Sequence, residues 1–213
     1  MAELEPDRKH LQAVKRIEAS GVVGPCHGNL AKVRAIIEAK PQLIGDMNAV
    51  NASAVDETPQ GAAAHTRSKE IVSYLHQRGV RLNVFMAAAM GKVDEVVAFL
   101  QDDPSLAGAS GAHGIPLISH AADRATADAM LRNGVDCDIF TAVGLDLAEY
   151  VAGLLRSDPS LANVHTKQGV SLVQTACVLG REDIVKVLLA AGADDPEDAG
   201  KHFLVGGDVS GRQ

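Results

Sequence analysis

Apolar residues recur at i, i+3, i+4 and i+7 in three stretches of the chain, GNLAKVRAIIEAKPQL, GKVDEVVAFLQDDPSL and LDLAEYVAGLLRSDPSL. That spacing places them on one face of a helix and predicts three amphipathic helices. Each pattern ends at the same device, a Pro-x-Leu element beginning at Pro41, Pro104 or Pro159. Proline disfavours helical backbone in the residue before it, so the helix stops there. Between these stretches, YLHQRGV, MLRNGV and VLLAAGA end instead on Gly79, Gly134 and Gly192, at the position after a helix that favours left-handed backbone. Two kinds of helix ending therefore alternate along the chain.

Each predicted long helix follows a shorter segment rich in small residues, such as Ala62 to Ala64, Ala87 to Ala89, and Ala121 with Ala122. Alanine lets neighbouring helices approach closely, while Leu and Val of the long helices fill the space behind them. The first such segment differs, because GVVGPCHG places Gly24, Pro25, Cys26 and His27 where the others carry helix formers. Proline deep in a helix costs about 3 kcal/mol, so a helix here begins near Pro25 or is broken there.

Several segments carry partial matches to a known repeat: ETPQGAAAHTR at Glu57 to Arg67, GIPLISHAA at Gly114 to Ala122, and GVSLVQTACVLGREDIVKVLLAAGAD at Gly169 to Asp194. On these residues the chain resembles an ankyrin repeat protein, whose unit runs Gly-x-Thr-Pro-Leu-His-x-Ala-Ala-x-x-Gly and later Leu-Leu-x-x-Gly-Ala. The resemblance implies an all-α solenoid of about six helix-pair units over residues 18–195, with finger loops between units. Residues 1–17 would form an N-terminal capping helix and residues 196–213 a flexible tail. Second helices are expected near Gly28, Arg67, Gly91, Ala125, Asp146 and Gly180, the one after Ala125 being about a turn short. Gly61, Ser119 and Gln174 replace the family's finger-tying histidine, so the finger hydrogen bonds must differ from the family pattern.

Composition narrows the function. Apolar residues make up 46% of the 213, enough for a core, and aromatics only 3%, which favours packed helices over an aromatic-rich sandwich. A formal charge of −7 opposes tight contact with phosphate backbones, so nucleic acid is not an expected partner. No apolar run reaches membrane-spanning length, and the acidic N-terminus does not read as a secretory signal. The expected location is cytoplasmic. Cys26, Cys137 and Cys177 are isolated and odd in number, which argues for free thiols.

The resemblance implies protein or peptide binding through the fingers 46–56, 108–114 and 164–169 and a row of groove-facing residues. The candidate binding residues are His27, His65, Thr66, Met90, His113, Asp123, Arg124 and Leu145. No catalytic residue, metal or cofactor is assigned, the reading leans away from an enzyme, and a monomer or weak homo-oligomer is expected. One alternative is a small-molecule-binding protein or unusual enzyme that uses Cys26, His27, His65, Asp123 and Arg124 at the N-terminal end of the groove; a sharper one comes from Cys26, His27, His65, His113 and His120, which arise in neighbouring units and could converge to bind zinc or activate Cys26. No pair among them has local ligand spacing such as HxxxH, and His120 occupies a position that the family fills with a buried Leu.

Overall fold

The computed structural model describes residues 8–50 and 57–194. The protein is all-α: among the described residues there are twelve α-helices and no strands. None of these helices is long and apolar enough to cross a membrane. Expectations for residues 1–7, for the finger residues 51–56 and for the tail 196–213 fall outside the described residues.

The chain divides into two compact units, Met1–Asp136 and Cys137–Gln213. The first holds α1 (Arg8–Ser20), α2 (Leu30–Ala39), α3 (Leu43–Ala49), α4 (Pro59–His65), α5 (Lys69–Gln77), α6 (Val84–Met90), α7 (Val93–Asp102) and α8 (Arg124–Arg132). Within it a row of short elements packs in sequence: the 3₁₀ turn Gly24–His27 on α4, α4 on α6, and α6 on the 3₁₀ turn Leu117–His120. The longer helices lie behind, with α4 against α5, α6 against α7, and α7 against α8. Ala62, Ala63, Ala64, Ala87, Ala88 and Ala89 are all fully buried, so α4 and α6 meet through small side chains, as their composition requires. The second unit repeats the scheme with α9 (Ile139–Gly144) on α11 (Leu172–Val178) and α10 (Ala148–Ser157) on α12 (Glu182–Ala190).

Local chemistry sets the helix starts. Asn29, Thr58, Asn83, Asp123, Asp138 and Ser171 each precede a helix, and each side chain accepts a backbone N–H from three residues on. These caps satisfy amide donors that have no partner inside the helix. The two Asp-Pro-Ser-Leu elements adopt one structure, a 3₁₀ turn in which Asp103 or Asp158 accepts from the backbone and hydroxyl of the serine two residues on. Pro41 instead leads into α3.

One expectation needs correction. The helix after Asp123 is not short: α8 has nine residues, the same as α5 and α12. What is reduced in that repeat is the short helix before it, which becomes the four-residue turn Leu117–His120. At the other break, Pro25 opens a four-residue 3₁₀ turn in place of an α-helix.

His120 is a core residue at 1% exposure, its Nδ1 hydrogen-bonded to Pro116 O at 3.1 Å and its ring 4.9 Å from that of Phe85. Burial pushes its imidazole below the usual histidine range, and the ring stays neutral. Gly111 makes room for it, since a Cβ there would sit 2.9 Å from His120 Nε2. Gly111→Ala is therefore expected to lower stability by about 1–3 kcal/mol through overpacking. Gly108→Ala, where a Cβ meets nothing within 4 Å, should be close to neutral. Thermal unfolding of the two variants checks this, and equal melting temperatures would contradict it.

Candidate metal centre

Three elements of the first unit bring imidazoles to one carboxylate. Gly24–His27 packs on α4, and the finger turn Ala112–Gly114 packs on the same helix. Thr58 caps α4 by accepting from Gly61 N, and Pro59 starts the helix with its preset backbone. This fixes Glu57 just before the helix and His65 as its last residue. Glu57 Oε1 lies 2.9 Å from His27 Nε2, 2.9 Å from His65 Nε2 and 3.0 Å from His113 Nε2. The Nε2 atoms of His27 and His65 are themselves 3.3 Å apart. The rings of His27 and His65, and of His65 and His113, meet edge to face.

His113 is presented by a tight hairpin, closed by a bridge between Ser110 and Pro116 and by Gly111 N donating to Ile115 O at 2.8 Å. Its own backbone is left-handed, with φ 59° and ψ 18°. Side chains other than glycine, and to a lesser degree Asn, Asp and His, rarely hold that conformation. The strain is local and falls on a residue whose ring reaches the carboxylate.

The hydrogen bonds of the rings decide which nitrogens face the carboxylate. His27 Nδ1 lies 3.2 Å from Val23 O and 3.1 Å from Gly24 O. Carbonyl oxygens only accept, so Nδ1 carries the hydrogen; in a neutral ring Nε2 then faces Glu57 Oε1 and His65 Nε2 as a lone pair, and in a charged ring it donates to Glu57. Lone pairs 2.9 and 3.3 Å apart repel unless a proton or a metal ion sits among them. Protons alone fit poorly, because a single carboxylate oxygen has about two lone pairs and three imidazoles converge on it. Burial works to raise the Glu57 carboxyl, but the hydrogen bonds from His65 and His113 and the charges of His27 and His113 outweigh it. The carboxyl is held below the usual carboxylate range and is ionised at neutral pH.

His27, Glu57 and His65 form the set whose ligand atoms all lie within 4.8 Å of one another. The three edges of that triangle measure 2.9, 2.9 and 3.3 Å. Bonds of about 2.0–2.1 Å, as zinc makes to imidazole and carboxylate, put adjacent ligand atoms about 2.9 Å apart in an octahedron and about 3.3 Å apart in a tetrahedron. The triangle is thus already the size of one face of a coordination sphere. The carbonyl contacts at His27 Nδ1 would supply the outer support that fixes which ring nitrogen faces an ion held there.

The remaining candidates serve other ends. Thr66 follows α4, its hydroxyl donating to Ala62 O at 2.8 Å. Asp123 caps α8, accepting from Thr126 N and Oγ1 at 2.9 and 2.7 Å, and these bonds hold its carboxyl below the usual range. Arg124 is exposed and 3.8 Å from Asp128. Met90 is half-buried at the end of α6, and Leu145 belongs to the second unit, where it follows α9. Cys26 is fully buried, and burial first, with the Glu57 charge second, pushes its thiol up to about 12. It is neither a nucleophile nor a thiolate ligand. Glu57 is the member that sequence reasoning missed, although it stands in the quoted ETPQGAAAHTR stretch eight residues before His65.

No protein-family model matches the chain, and no curated protein matches it.

The cysteines give a direct check on this environment. With Cys177 exposed and Cys26 and Cys137 buried, the native protein should show one fast-reacting thiol per chain toward a neutral disulfide reagent, removed by Cys177→Ser. Rapid labelling of Cys26 would show that the turn Gly24–His27 is open.

Proposed function

We propose that the protein binds a divalent transition-metal ion of the zinc class through His27 Nε2, Glu57 Oε1 and His65 Nε2. The observation that carries this reading is the His27 ring, whose Nδ1 contacts with backbone oxygens leave Nε2 facing a carboxylate and a second imidazole. Two imidazoles with one carboxylate suit zinc and its first-row neighbours, and lack the all-oxygen shell that calcium or magnesium takes. The reading departs from the expectation of no metal, which rested on the absence of local ligand spacing.

Titrating metal-free protein with zinc or cobalt, followed by calorimetry or cobalt absorption, tests the proposal. One ion per chain is expected. Glu57→Gln or His65→Ala should weaken it at least about tenfold, since even groups behind the ligands change metal affinity by 10- to 100-fold. A protein that takes up no ion, or binds it equally well in both variants, contradicts the reading.

A second reading keeps the chain as an ankyrin-like array that captures a protein or peptide. Alternating short and long helices support the array, and the apolar side chains left in solvent on the second unit support the capture, with Val178 86% and Leu179 44% exposed. Peptides selected from a display library on the native protein should fail to bind Val178→Asp combined with Leu179→Asp. Undiminished binding would remove these two residues from any such face.

A further inference from the structure

We infer that His113 is the positioning residue of this site: it donates its Nε2 hydrogen to Glu57 Oε1, orients that carboxylate toward the ion, and so couples metal binding to the conformation of the finger hairpin 110–116. This rests on the metal-binding reading above and adds to it the regulation of the same site.

An ionised carboxylate only accepts hydrogen bonds, so the His113 nitrogen 3.0 Å from Oε1 carries a hydrogen and donates it. A nitrogen that keeps its hydrogen has no lone pair for a metal, and His113 stands outside the compact set of His27, Glu57 and His65. The lone pairs of Oε1 assign the roles. About two of them cannot serve three imidazoles, but they serve one ion and one N–H donor. With His27 and His65 turned to the ion, Oε1 keeps the ion on one lone pair and His113 on the other. Ligating carboxylates are held by such outer hydrogen bonds, and losing one changes metal affinity by about 10- to 100-fold.

The donor sits on a finger that is anchored at its root and left-handed at its tip. Ala112 is buried, and its Cβ lies 3.7 Å from where a Cβ on Gly61 would stand, so the root rests on α4, the helix that Glu57 precedes. Leu117 N donates to Ala109 O and Gly111 N to Ile115 O, which closes the hairpin. At the tip His113 and Gly114 are both left-handed, with φ 59° and 70°, and the His113 side chain is 57% exposed. The bond to Glu57 and an edge contact with the His65 ring hold that side chain in place. An ion that fixes Glu57 therefore steadies the finger. A finger drawn away weakens the ion by the same factor, as the reciprocity of linked equilibria requires.

The test compares the full native chain with His113→Gly, because glycine accepts left-handed backbone and removes the donor. Zinc affinity is read by competition with a chromophoric chelator, coordination by cobalt absorption, and the finger by hydrogen exchange at the Gly111 amide. The variant should still bind one zinc per chain, about 10- to 100-fold more weakly. Its cobalt spectrum should match the native one, since the ligands are the same. In the native chain, saturating zinc should slow Gly111 exchange by about the factor that the variant loses in affinity, and in the variant it should not. The native exchange measurement needs no variant, so it decides the matter where His113→Gly does not fold. Equal zinc affinities, a cobalt spectrum altered by the variant, or native Gly111 exchange indifferent to bound zinc each overturn the inference and leave metal binding standing. A native chain that takes up no zinc overturns the metal reading itself, and this inference with it.

Discussion

One oxygen atom organises the first unit's candidate site. Glu57 Oε1 lies within 3.0 Å of three imidazole nitrogens, one of which is turned toward it by hydrogen bonds on the far side of its ring. A buried or half-buried polar cluster is stabilising only when every lone pair meets a positive partner, and costly otherwise. Two of its four members, His27 and His113, are exposed, so solvent shares in the balance with the hydrogen bonds of the cluster. A metal ion bound as proposed would relieve the crowding at Oε1, use the His27 tautomer as it stands, and join the turn Gly24–His27 to the helix α4.

The scaffold earns its precision from small residues and caps. Close contact of α4 with α6 through buried alanines leaves little freedom in the axis of α4, while Thr58 and Pro59 set where that helix begins. Glu57 and His65 are thereby fixed at its two ends. The break at Pro25 has a structural consequence of the same kind. A 3₁₀ turn exposes the carbonyls of Val23 and Gly24 to the His27 ring, where a continuing helix would engage them in its own ladder. Cys26, next to it, is buried in the core, and burial with the nearby Glu57 charge raises its thiol pKa.

Much of the all-α architecture was legible in the chain. The i, i+3, i+4, i+7 stretches became α2, α7 and α10, which the Pro-x-Leu elements follow, while Gly79, Gly134 and Gly192 follow α5, α8 and α12. Legibility failed where tertiary packing overrode local pattern: α8 kept its full length although its segment is poor in large apolar residues, and Leu117–His120 contracted to a 3₁₀ turn to seat a buried imidazole. Of the site, His27, His65 and His113 were named from sequence, and the structure places all three on one carboxylate. Glu57 was not, because nothing local marks a glutamate ahead of a Thr-Pro helix start as different from any solvated acid. Asp123 and Thr66 lie outside that cluster, and their short polar side chains complete helix ends.

The claim on which the account turns is that His27 carries its hydrogen on Nδ1 and offers Nε2 to a metal ion. Long-range nitrogen-15 NMR of the histidine rings, recorded before and after one equivalent of zinc, reads both nitrogens separately. The account predicts that zinc leaves His27 Nδ1 protonated and moves its Nε2 signal, together with that of His65, to the range of a metal-bound nitrogen. Rings that remain unchanged by zinc, or a His27 ring protonated at Nε2 alone, would contradict it.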